Sequence, residues 1–271
     1  MSQRLGNCHL CGNNDLLQVS HLLPKALYRF VRASHGGKGN PDLVYSTKTN
    51  SWLSSRQVTA NLLCLICEQL FNKNGEGWVL NQCYRGKGSF KLQDTLRNCP
   101  PLTQSPDSLT YTAAAIPSIN VTQLVYFASS VFWRASVPAW QINDHELKVI
   151  DLGPKYEKQF LEFLQGREGF PSNAALRVGV SPSQDPRELL LMIYPYGGRR
   201  EGYHQYRFAI PGLRFDLFLG NAIPPALRER CILRSTGNLI FLTSLIDEAN
   251  LRDMESLIST SKPSERLKYL S

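Results

Sequence analysis

No stretch of the chain approaches the ~20 consecutive apolar side chains that a membrane span requires. The opening Met1-Ser2-Gln3-Arg4-Leu5-Gly6-Asn7-Cys8 also lacks the apolar segment of a signal peptide. The two absences predict a cytoplasmic protein without a membrane partner. No internal repeat is visible, which excludes a solenoid or propeller. Acid is scarce at one end: residues 1–100 hold 12 Lys and Arg against 5 Asp and Glu, whereas 101–271 hold 18 against 17. Almost all of the net charge of +8 therefore belongs to the N-terminal segment. Such a surface is either a solvated face or the partner of a phosphate backbone.

What the chain does contain is a globular composition, with 42% hydrophobic and 19% charged residues, over a length that suits two domains. Its cysteines are paired in sequence. Cys8-His-Leu-Cys11-Gly12 and Cys64-Leu-Ile-Cys67 are two C-x-x-C motifs separated by 52 residues. In a reducing compartment this spacing points to a tetrahedral four-thiolate zinc site, not to disulfides. Gly12 relieves the tight turn behind the second thiolate. Cys83, Cys99 and Cys231 have no such partner and are expected to be free thiols. Residues 1–80 hold few large apolar side chains, so zinc is expected to supply much of their order.

Asp15–His21 has strand character. Pro24 suits the first turn of a helix, which sets Lys25, Arg29 and Arg32 along one face and Leu27, Phe30 and Val31 along another. The basic stripe is the candidate contact for duplex DNA. Residues 35–50 read as a loop and Ser51–Val58 as a strand. A helix beginning near Cys67 would stack Glu68 and Asn72, four apart, on one side, with Glu76 two turns beyond Glu68. Asn74-Gly75-Glu76-Gly77 is expected to break it. Tyr84–Lys91 mixes aromatic and basic residues in a loop.

A leading C-x-x-C, a strand ending in His21, and a C-x-x-C running into a helix with oxygen donors resemble the HNH, or ββα-metal, endonucleases on a treble-clef zinc scaffold. The resemblance covers about residues 1–80. It implies that His21 is the general base, Asn61 the residue that orients it, and Glu68 and Asn72 the helix ligands of a catalytic Mg²⁺ or Mn²⁺, beside a structural Zn²⁺ on Cys8, Cys11, Cys64 and Cys67. Ser20 stands where the family commonly has a metal-binding residue, and Glu68 and Asn72 stand where it usually has histidines. Asn61 lies two residues closer to Glu68 than the pattern implies. The resemblance also implies a setting in defence against phage or in mobile elements, where stand-alone bacterial HNH-like proteins with an unrelated C-terminal domain often belong.

Beyond residue 98 the composition changes. Residues 99–118, rich in Pro, Ser and Thr, read as a linker, and 119–271 as a second α+β domain for specificity, partner docking or oligomerisation. Residues 119–140 are apolar enough for a mostly buried helix, in which Arg134 must be paired or at a domain interface. Tyr156–Leu164 has helical period. Strands are expected at Leu176–Val180, Leu189–Tyr196, Tyr203–Ile210, Leu213–Leu219 and Leu239–Thr243, with a hairpin loop at Gly197–Gly202 carrying Arg199 and Arg200, and an amphipathic helix closes the chain over Leu245–Ile258. The sequence thus predicts an α+β protein whose residues 1–98 form a zinc-stapled nuclease module. The alternatives are a non-catalytic zinc module that binds nucleic acid and a zinc-stabilised scaffold.

Overall fold

The computed structural model describes residues 3–34, 43–46, 50–54, 57–86, 88–137, 140–142, 145–146, 149–233, 237–245 and 262–263. The chain is mixed α+β. The N-terminal part runs β1 (Arg4–Asn7), β2 (Asn14–His21), α1 (Lys25–Ser34), β3 (Leu43–Ser46), β4 (Asn50–Ser54), β5 (Thr59–Cys64), α2 (Leu65–Phe71), a π-helical turn (Asn72–Glu76), α3 (Gly77–Gln82) and α4 (Lys91–Arg97). There follow β6 (Thr103–Ser105), β7 (Ser108–Thr112), α5 (Val121–Ser136), β8 (Gln141–Ile142), β9 (His145–Glu146) and α6 (Gly153–Leu164). The last part is β10 (Ala174–Val180), α7 (Pro186–Leu189), β11 (Ile193–Arg199), β12 (His204–Ile210), β13 (Leu213–Leu219), α8 (Pro225–Arg228), β14 (Leu239–Thr243) and β15 (Lys262–Pro263).

The described strands make a five-stranded sheet ordered β1-β2-β5-β8-β9, a seven-stranded sheet ordered β11-β12-β13-β10-β14-β7-β6, and a small one ordered β15-β4-β3. Helix α5 lies between the first two. Asn120 caps it by accepting a 3.0 Å hydrogen bond from the Gln123 amide. Every residue from Leu124 to Ser136 is buried, as expected for a helix covered on all sides. One flank meets α2, where the Phe71 ring packs edge-on to Tyr126 and Trp133 at 6.0 and 6.1 Å between centroids. The other meets the large sheet, where Phe127 and Phe132 pack on Phe208 and Phe215.

Several expectations are corrected. Residues 99–118 are no linker, because 103–112 form a hairpin whose second strand pairs with β14. Asn74–Gly77 does not end the helix, which continues through the π turn. Gly75 is buried there, and a side-chain carbon on it would come within 2.8 Å of the Phe127 amide nitrogen, so glycine permits α5 to approach. The two expected domains share one apolar core, running from Leu10, Leu63 and Phe71 through Phe127 to Val178 and Phe215. The strand expected over Leu189–Tyr196 begins only at Ile193, since α7 takes up Leu189; the one expected at Ser51–Val58 is β4, which ends at Ser54; and the loop expected over 35–50 holds β3. The closing helix over Leu245–Ile258 falls almost wholly outside the described residues.

Candidate functional site

Two clusters meet where β2, β5 and α2 join. In the first, the sulfurs of Cys8, Cys11, Cys64 and Cys67 all lie within 4.8 Å of one another. Local structure explains the convergence. The β1–β2 turn is closed by hydrogen bonds from the Cys8 amide to the Asn13 carbonyl and from the Gly12 amide to the Cys8 carbonyl, both 2.8 Å, with Gly12 at φ +79°. The antiparallel pairing of β2 with β5 brings Cys64 beside this turn, and its amide donates to Cys8 Sγ at 3.3 Å. Cys67 follows in the first turn of α2. A zinc–sulfur bond of about 2.3 Å makes a tetrahedron with edges near 3.8 Å; the Cys11–Cys64 sulfurs are 3.9 Å apart. The four thiols can therefore hold a structural metal such as zinc. Burial pushes the Cys64 and Cys67 thiols up, and the neighbouring sulfurs raise Cys67 further. Burial also opposes ionisation of Cys8, but the amides of Cys11, Cys64 and Leu10 outweigh it and bring that thiol down.

The second cluster surrounds Arg134, a side chain only 2% exposed. Its guanidinium donates to the Ser130 carbonyl at 3.3 Å, to the His21 carbonyl at 3.0 Å and to Glu76 Oε1 at 2.7 Å, and it stacks over Phe71. Glu68, one residue beyond the last thiol, accepts a hydrogen bond from the Ser20 hydroxyl. Burial raises the Glu68 carboxyl above the ordinary range; Ser20 and Arg134 pull it down, while Glu76 adds to the rise. His21, at the end of β2, is half-buried, and burial together with the charges of Lys25 and Arg134 holds its imidazole below the ordinary value, partly offset by the Gln57 side chain. Its surroundings thus favour the neutral imidazole.

The expected residues divide. The four cysteines come together, and Ser20, Glu68, Glu76 and Arg134 form one connected group. Asn72 is exposed at the start of the π turn, and Glu76 takes the place expected of it beside Glu68. The register shift follows from the π turn, which adds a residue between the two acids. Asn61 stands on β5 opposite Val19, and Gln57, just before β5, is the side chain that raises the His21 imidazole, while its own Oε1 is buried without a hydrogen-bond partner among the described residues. Lys25 and Arg29 are exposed on α1, while the side chain of Arg32 lies outside the described residues. Gln57 and Arg134 are the residues the sequence did not single out as functional. The pairing of His21 with Thr59 is what carries Gln57 alongside, and no local motif announces it.

Among the described residues no helix is long and apolar enough to cross a membrane, and the four cysteines are the only group of three or more His, Cys, Asp or Glu side chains converging at metal-ligand distance. No family model, no curated protein and no solved structure matches the chain.

Proposed function

We propose that the chain is an HNH-type endonuclease, in which a zinc-stapled treble-clef module hydrolyses phosphodiester bonds of DNA with His21 as general base. The observation that carries this reading is the four-cysteine cage with a carboxylate pair, Glu68 and Glu76, around Arg134 directly behind it, and the same Arg134 bonded to the main chain of His21. Zinc on Cys8, Cys11, Cys64 and Cys67 would be structural, since a closed tetrahedral site leaves no open position. A catalytic Mg²⁺ or Mn²⁺ would fall to Glu68 and Glu76 instead of Glu68 and Asn72. Two oxygen donors suit such ions, which bind through one or two carboxylates plus substrate phosphates, and the pair has one guanidinium for two carboxylates. When bound, the cation would neutralise charge on the scissile phosphate.

The chain's own groups do the rest. His21 takes the proton from the attacking water. Lys25 and Arg29 attract the phosphate backbone. Arg134 is a positioning residue that holds the His21 main chain and Glu76 in one frame. A cytoplasmic setting and a role in bacterial defence against phage accompany the HNH resemblance.

A second reading is a zinc-dependent module that binds nucleic acid without cutting it. It is favoured by the bonds from Ser20 to Glu68 and from Arg134 to Glu76, which give each carboxylate a partner already. Incubating the purified protein with plasmid in EDTA, Mg²⁺ or Mn²⁺ separates the two. Cutting that needs the cation and is lost in His21→Ala supports the endonuclease. Duplex binding with no cutting under any of these conditions leaves the binding module.

A further inference from the structure

The seven-stranded sheet has a face turned away from α5. Along β10, β12 and β13 alternate residues point to opposite sides. Leu176, Val178, Phe208 and Phe215 belong to the core shared with α5, whereas Arg177, Arg207, Arg214 and Asp216 occupy the other side. Arg207, Asp216 and Arg177 stand in register across three neighbouring strands, and Arg214 lies opposite Gly179. Asp216 is fully buried and fixes the arginines. Arg177 donates to its Oδ2 from Nε and Nη2, both at 3.1 Å, Arg207 donates to Oδ1, and Arg214 Nε is 3.4 Å from Oδ2. Arg214 also donates to the Ser244 and Leu245 carbonyls at 3.1 and 3.0 Å, and Arg177 stacks on Phe218.

Over Gly179, where the strand carries no side chain, the face opens into a hollow of about 50 Å³ lined by Arg177, Arg214, Arg230, Ser108, Thr243 and Phe241, among others. Arg230 is exposed and its guanidinium rests over the Phe241 ring at 5.5 Å. No carboxylate lines the hollow; Asp216 sits behind it, holding Arg177 and Arg214 in place.

We propose that this hollow is a phosphate-binding site. Around the hollow, the arginines held by the single carboxylate of Asp216, with Arg230 at the rim, leave an excess of positive charge that is fixed in advance, so attracting an oxyanion costs little further ordering. The mouth is bounded by the Thr243 hydroxyl, which donates to the Asp107 carbonyl at 3.3 Å, and by Ser108, whose hydroxyl pairs with that of Ser105 at 3.0 Å. A hollow this small admits a single tetrahedral oxyanion, so the remainder of the ligand stays outside. The phosphate belongs either to a small molecule such as a nucleotide or to a nucleic-acid backbone crossing the sheet. The site lies on the far side of the sheet from α5 and His21, and it stands whether or not the protein cuts DNA.

The test is calorimetric titration of the full chain with inorganic phosphate, at an ionic strength held constant with chloride. Arg230→Gln and Ser108→Asp change residues at the rim and spare Asp216, and circular dichroism checks their folding. Wild type is expected to bind phosphate, Arg230→Gln to bind about tenfold more weakly, and Ser108→Asp not at all. Failure of wild type to bind, or equal binding by all three proteins, overturns the proposal. Adenosine monophosphate and a short duplex oligonucleotide are then offered as competitors. Displacement by the nucleotide identifies a small ligand, and displacement by the duplex identifies a backbone; each supports the site. Phosphate that neither displaces is an adventitious ion only, and that result also overturns it.

Discussion

Arg134 and Glu76 are 58 residues apart in the chain and joined by a contact of 2.7 Å, with side chains 2% and 15% exposed. The pair fastens α5 to the π turn that continues α2, and the same guanidinium holds the main chain of the proposed base. Removing one partner of a buried pair leaves the other charge uncompensated. Arg134→Met is therefore expected to lower stability by about 3–5 kcal/mol, measured by denaturant unfolding. Arg134→Lys should recover only part of this, because one ammonium cannot reproduce the guanidinium's fan of contacts to Ser130, His21 and Glu76. A Met variant as stable as wild type refutes the structural role.

His21→Ala should reduce cutting by about 10²–10⁴-fold while zinc content and duplex affinity stay as in wild type. The folded state depresses the His21 pKa, so the neutral base persists below the ordinary histidine value of about 6.5. The acid limb of the rate profile should lie below that value. The sign for stability follows. A lowered folded pKa gives a contribution present above about pH 6.5 and lost as pH falls through the folded value. His21→Ala should flatten that part of the curve of stability against pH. An unchanged cutting rate in this variant would remove His21 from the chemistry.

Glu68→Gln and Glu76→Gln should each abolish cation-dependent cutting, with partial recovery at high Mn²⁺, whereas Asn72→Ala should cut close to wild type. Isothermal titration with Mn²⁺ reads the same difference without activity. If Asn72→Ala is as damaging as Glu68→Gln, Glu76 does not hold the ligand position assigned to it.

One equivalent of zinc per chain is expected by metal analysis. Stripping it should cost protection from hydrogen exchange at residues 8–13 and in β1, while the seven-stranded sheet keeps its protection. The sequence alone predicts a wider collapse of residues 1–80. The difference arises because Leu10, Leu63 and Phe71 belong to the core that also holds α5. Loss of the whole fold on chelation contradicts this partition.

Duplex affinity should fall steeply with salt. Replacing Lys25, Arg29 and Arg32 by Ala should flatten the log–log slope by about 0.9 for each phosphate contact removed. An affinity indifferent to salt would leave the exposed basic face of α1 without a nucleic-acid role.

The legible parts of the fold were those written as local patterns. The C-x-x-C spacing foretold the thiol cluster, and apolar alternation foretold β10, β12, β13 and β14 because one side of each strand faces a core. The hairpin at 103–112 escaped because β6 is wholly exposed and β7 buries only Tyr111, so neither shows an apolar stripe. The π turn escaped because the glycine that permits it answers to Phe127, far away in the chain. The same reason hid Gln57 and the partners of Arg134, of which only the need for pairing was legible. Each acts on His21 through strand pairing or helix packing, and no spacing within one segment encodes that.

The Arg134–Glu76 contact also sets an order of events during synthesis. Between the two residues the ribosome adds 58 amino acids, which takes about 3–12 s at ~5–20 residues per second. During that interval the nascent chain already carries both cysteine pairs, the strand ending in His21, and both acids, yet it lacks the arginine that seats them. The N-terminal part is thus born before its own site can close, and any hydrolytic power must wait until α5 has left the exit tunnel and docked.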